Sequence, residues 1–164
     1  MAILITAAAS SGAYRLARIL QSADVYFADV RDLPAIAGKK FLHIPSTTSS
    51  AYAHEILALC LDNNITIVYP LHRDEVTELA KARQLFSEYG IHLVIPSDEW
   101  LKNKLNVFPF NSSNILVLEN GKVQAGKIPA ELSELNNEKN GIFNWILKDD
   151  RIMCSLFVVE NAEI

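Results

Sequence analysis

The chain has 164 residues, half of them hydrophobic and 21% charged, with a formal net charge of −4. Such a composition belongs to a globular domain with its own buried core and excludes a disordered chain. The acidic balance leaves no Lys/Arg cluster for a nucleic-acid footprint, and no segment approaches the roughly 20 apolar residues of a membrane helix.

"MAILITAAASS" has no basic residue ahead of its apolar run, so it reads as a first strand, Ala2 to Ala7, rather than a signal peptide. Gly12 to Leu20 follows with Tyr14, Leu16, Ala17, Ile19 and Leu20 on one helical side. "VYFADV", residues 25–30, is a second strand ending near Asp29, and "KFLHIP" is a short third strand stopped by Pro45. In "STTSSAYAHEILALCLDNN" the Ser and Thr residues stand as caps before a periodic helical run. "ITIVYPL", residues 65–71, is apolar almost throughout, as a parallel strand covered on both faces is. An acidic start and Gly90 bound a helix from about Asp74 to Tyr89. "IHLVIP" is a fifth strand, and Ser97 caps a short helix, "DEWLKNKL".

Strands joined through single helices stack into a parallel sheet by right-handed crossovers. The expected fold is therefore α/β, a Rossmann-like doubly wound parallel sheet over residues 1–108. From Pro109 the character changes. Asn120-Gly121 between two apolar runs is a hairpin signal, Ile142, Phe143, Trp145 and Ile146 form an apolar patch, and residues 151–160 read as a strand. Residues 109–164 are expected to form a small C-terminal antiparallel β appendage packed on the same domain.

Ligands of open parallel sheets bind beyond the carboxyl ends of the strands, where the strand order reverses. The turn from Ala7 to Gly12 lies there. Against a GxGxxG turn, Ala7 and Ala9 take the first two glycine positions and Gly12 the third. Ala9, Ser10, Ser11 and Gly12 are candidates for gripping an anion at a helix N-terminus; a capped, tightly packed turn uses the same residues. Asp29 stands where a ribose-binding acid would, about twenty residues later; it also fits a solvated turn carboxylate. Pro70, His72, Arg73 and Asp74 form a second corner, with acid–base chemistry open to His72 and Asp74 and helix capping open to Asp74 and Glu75. His43, His54 and His92 lack metal-binding spacing. Cys60 and Cys154 lack CxxC spacing, which fits a reducing cytoplasm and neither a disulfide framework nor a zinc site.

"ILITAAASSGAYRLARIL", "ADVYFADV", the run from "KFLHIPS" through "IVYPLHRDE" to "GIHLVIPS", and the closing "NKL" resemble the N-terminal, pre-ATP-grasp domain of carbamoyl-phosphate-synthase-like ATP-grasp proteins over residues 2–105. The resemblance implies a domain that helps bind the acid or amine substrate beside an ATP-grasp module. That module holds ATP and magnesium through a lysine and late acidic residues and makes an acyl phosphate. The 60 residues after Lys104 depart from the family pattern, being too few for an ATP-grasp fold and lacking clustered Glu/Asn metal ligands.

The expected function is thus a stand-alone, non-catalytic pre-ATP-grasp-like domain in the cytoplasm, a substrate-binding or scaffolding partner of a separately encoded ATP-grasp ligase. No cofactor is named. The alternative is a small NAD(P)- or nucleotide-binding enzyme with a degenerate glycine turn. The apolar strands "ILVL" and "CSLFVV" would also serve a homodimer, since exposed strand edges invite pairing.

Overall fold

A computed structural model describes residues 1–104, 113–127 and 140–159. The chain forms two compact units, one of Met1–Leu93 with Val159–Ile164, the other of Val94–Val158. The expected boundary between residues 108 and 109 lies outside the described residues.

The first unit holds β1 (Ala2–Ile5), α1 (Ser11–Leu20), β2 (Val25–Asp29), β3 (Lys40–His43), α2 (Tyr52–Asp62), β4 (Ile65–Tyr69), α3 (Arg73–Lys81), α4 (Arg83–Glu88) and β5 (His92–Leu93). All five strands are parallel, in the order β3-β2-β1-β4-β5. The chain runs outward from β1 to β3 and returns to set β4 on the other side of β1, so the order reverses between β1 and β4. Every residue of β1 is buried. Because successive side chains alternate faces, both faces of the sheet are covered there. α2 packs on β4 and on α3, and α4 on β5. This is the α/β architecture expected from the alternation of strands and helices.

Three local expectations are corrected. The stretch read as one helix from Asp74 to Tyr89 is two. α3 closes at Ala82, whose N–H bonds Leu79 three residues back, and α4 restarts with Phe86 N–H on the Ala82 carbonyl. α2 is not capped by a hydroxyl: Ala51 holds the N-cap position, and Ser49 makes a turn ahead of it, accepting the Ala51 amide at 3.2 Å. β5 pairs over two residues rather than six. The Gly90 stop is as read. Gly90 sits at φ +71, with Gly90 N–H on Ser87 O and Ile91 N–H on Phe86 O, the paired bonds of a Schellman motif.

The second unit contains α5 (Asp98–Lys104), β6 (Ile115–Glu119), β7 (Lys122–Gly126), β8 (Gly141–Lys148) and β9 (Arg151–Leu156). Its strands form a separate antiparallel sheet in the order β7-β6-β8-β9. Ser97 caps α5 through Trp100 N–H, and Trp100 meets Phe143 edge-on at 5.3 Å. Asn120 and Gly121 both have positive φ, the type I′ turn their sequence demands. A second turn of the same kind, Asp149-Asp150, joins β8 to β9 and was not read from the sequence.

Gly126 is the tightest position in this sheet. A Cβ there would lie 2.1 Å from the Ile115 carbonyl oxygen, at φ +99. At Gly141 a Cβ would meet the Phe143 ring and Pro96 at 3.0 Å. G126A should therefore cost more than about 2 kcal/mol, and more than G141A, since backbone yields less readily than side chains. Both tryptophans, Trp100 and Trp145, lie in this unit, so urea melts followed by tryptophan fluorescence give the order directly.

Candidate functional site

The reversal between β1 and β4 brings the two predicted corners to one edge of the sheet. β1 and β4 run in parallel register, Ile5 opposite Tyr69, so the turn after β1 and the turn after β4 leave from the same rim. Thr6 joins them. Its N–H donates to Tyr69 O at 3.2 Å, its hydroxyl accepts the Leu71 amide at 2.8 Å, and the same hydroxyl donates to Glu75 Oε2. Glu75 also reaches back to the His72 amide at 3.2 Å, the carboxylate half of a capping box. Thr6 and Glu75 are both buried. Burial pushes the Glu75 carboxyl above its ordinary 4.5, against the lowering effect of the Thr6 hydroxyl, the His72 ring charge and the two backbone amides.

The first turn keeps the bend of a glycine turn while carrying alanine. Ala7 sits at φ +55, the left-handed region that glycine enters without strain. Ser10 caps α1, its hydroxyl accepting Ala13 N–H at 3.3 Å and donating to Ala7 O at 2.7 Å. The amides ahead of the helix turn inward: Ala8 N–H bonds Ala28 O, Ser10 N–H bonds Ala7 O, and Ala9 N–H donates to Asp29 Oδ2 at 2.9 Å. Ser11 is exposed at the start of α1, and Gly12 is buried.

Asp29, at the carboxyl end of β2, is only 2% exposed. Besides Ala9 it accepts the Arg31 amide at 3.0 Å and Arg31 Nε at 3.2 Å, both on Oδ1. Burial alone would raise its pKa, but the amides of Ala9 and Arg31 and the Arg31 guanidinium outweigh it and hold the carboxyl below 3.8. The Asp29 carboxylate thereby braces the first turn.

At the second corner Pro70 is buried, His72 and Arg73 are half-buried, and Asp74 is exposed in the first turn of α3. His72 is the N-cap residue. Thr6 and Glu75 are the edge residues the sequence reading passed over as a joined pair. Their signal was a lone hydroxyl inside "ILITAAA" and a Glu three positions after His72. A further depression of about 180 Å³ lies at the ends of β2 and β3, lined by Arg31, Asp32, Leu33, Phe41, Leu42 and His43. Among the described residues, no group of three or more His, Cys, Asp and Glu is placed to hold a metal, and no helix is long and apolar enough to cross a membrane.

A five-stranded parallel sheet in this order, with a helix capped by Ser10 following β1, defines the Rossmann-like class. The family model described as "PylC-like, N-terminal domain" matches residues 3–94. That is more than half of the chain and nearly the whole parallel-sheet unit. The chain belongs to that family, which supports an N-terminal domain of ATP-grasp-like proteins. No curated protein matches the chain.

Two outcomes test the edge. Thr6→Val strands the Leu71 amide and should cost about 1–3 kcal/mol, whereas Thr6→Ser keeps the hydroxyl and should cost about 1 kcal/mol for the lost methyl; urea melts followed by far-UV circular dichroism compare them. A carboxyl with a raised folded pKa stabilises fully below its ordinary 4.5, and that contribution is lost as pH rises through the folded value. Glutamine offers a carbonyl oxygen to the same two donors and does not ionise. The thermal midpoint of Glu75→Gln relative to wild type should therefore rise as pH climbs above the ordinary carboxyl value of 4.5 and level off once the folded carboxyl has ionised.

Proposed function

We propose that this chain supplies a non-catalytic pre-ATP-grasp-type domain, a substrate-binding or scaffolding partner of an ATP-grasp ligase encoded separately and working in the cytoplasm. The observation that carries this reading is the inward orientation of the first turn. Ala8, Ala9 and Ser10 give their amides to the protein itself, and Asp29 gives its carboxylate to the Ala9 and Arg31 amides and the Arg31 guanidinium. A dinucleotide site needs those amides for pyrophosphate and that carboxylate for ribose. Ser11, His72, Arg73 and Asp74, exposed or half-buried at the rim, are the groups we assign to substrate, with Pro70 shaping the wall. The family match over the same unit agrees with such a role. The antiparallel sheet, with β7 and β9 as its edges, is the surface we assign to a homodimer.

A second reading keeps Ala9, Ser10, Ser11, Gly12 and Asp29 as a nucleotide site. It draws on the left-handed Ala7 and on Ser10 capping a ten-residue helix, since such an N-terminus favours an anion.

The tagged chain, drawn from a lysate of its own source, should recover an ATP-grasp enzyme. Recovery of none, together with native mass spectrometry showing no bound small molecule, would contradict the leading reading. Thermal shift with NAD, NADP, ATP and AMP separates the two. The scaffold reading expects a flat response; a nucleotide site expects stabilisation growing with concentration, about 2.7 kcal/mol at a hundredfold excess over Kd.

A further inference from the structure

One residue distant in sequence lies against the β4–α3 corner. Val159 belongs to the same compact unit as the parallel sheet, and both of its main-chain polar groups are engaged there. Its N–H donates to the Leu71 carbonyl at 2.7 Å, and its carbonyl oxygen lies 3.1 Å from His72 Nδ1. A carbonyl only accepts, so this contact requires the His72 proton on Nδ1. The isopropyl group takes no part in either bond. What the corner reads is an N–H and a C=O of one residue, the recognition mode by which proteins bind extended peptides.

The corner is also held ready. Leu71 N–H is tied to Thr6 Oγ1 and His72 N–H to Glu75 Oε2. The Leu71 carbonyl and the His72 ring are therefore presented by backbone already fixed from beneath, which lowers the cost of ordering them on binding.

We infer that the β4–α3 corner is a slot for extended polypeptide main chain, filled within the molecule by Val159, and that an extended peptide segment of a partner protein competes for it. This rests on reading the corner as a binding site and names the class of partner it takes. Two hydrogen bonds are weak in isolation, and a tethered residue holds them because its effective concentration is on the order of millimolar. A partner enters by adding contacts of its own or when Val159 is released.

The test uses the full chain and a fluorescein-labelled peptide of residues 155–163, SLFVVENAE. Val159→Pro removes the N–H that Leu71 accepts. Anisotropy titration should show the peptide binding this variant at least tenfold more tightly than wild type, and His72→Ala added to it should weaken binding about tenfold, one hydrogen bond's worth. Should Val159→Pro not fold, amide exchange in the wild-type background decides. The Val159 amide should be protected in wild type and in Val159→Ala, and should exchange about tenfold faster in His72→Ala. Equal peptide binding by Val159→Pro and wild type, or a Val159 amide exchanging at the free rate in wild type, overturns the slot. Recovery of an ATP-grasp enzyme alongside either result removes the slot alone. Peptide competition with no such enzyme recovered removes the scaffold reading alone.

Discussion

The hydroxyl of Thr6 accepts the Leu71 amide and donates to the Glu75 carboxyl, with all three residues buried at the point where the strand order reverses. A buried amide without an acceptor costs more than the bond itself contributes, so this hydroxyl has no apolar substitute of its own shape. Through it the end of β1 fixes the start of α3, and the start of α3 fixes the His72 backbone. The carboxyl edge is thus a single hydrogen-bonded unit rather than two adjacent turns.

Two buried carboxyl groups stand on this edge and are driven in opposite directions. Asp29 meets two amides and a guanidinium, and these overcome its burial. Glu75 accepts the His72 amide and the Thr6 hydroxyl, yet has no cationic side chain bonded to it, and burial prevails. Glu75 is the more deeply desolvated of the two, whereas the amides of Ala9 and Arg31, with the Arg31 guanidinium beside them, are enough to keep Asp29 ionised. Asp29 is therefore suited to hold the first turn as an anion, and Glu75 to hold the second corner while keeping its proton longer. Each role follows from what the neighbouring backbone offers, and both act on the positions from which any ligand would be approached.

Much of this was legible in the sequence, for identifiable reasons. β1 and β4 are short apolar runs because both sheet faces are covered, and Asn120-Gly121 specified its turn because positive φ at both positions excludes most residues. The two corners were legible as strand ends, and Asp29 as an acid at the end of the second strand, though not its bond to the first turn. What escaped was set by partners distant in the chain. Thr6 and Glu75 are 69 residues apart, and neither residue alone marks a pair. Val159 meets His72 across 87 residues. The break at Ala82 carries no glycine or proline, so no local punctuation announced it. The inward rotation of the Ala8 and Ala9 amides depends on where Ala28 and Asp29 lie across the sheet, which periodicity along one strand does not encode.

The most direct measurement of the central claim is native-state exchange of the Leu71 amide. Leu71 lies beyond the end of β4, and its protection depends on the Thr6 hydroxyl rather than on a strand partner. If Thr6 holds the edge together, this amide exchanges as slowly as those of β4 itself and loses that protection in Thr6→Val. A Leu71 amide exchanging at the rate of an exposed turn in the wild-type chain would contradict the account.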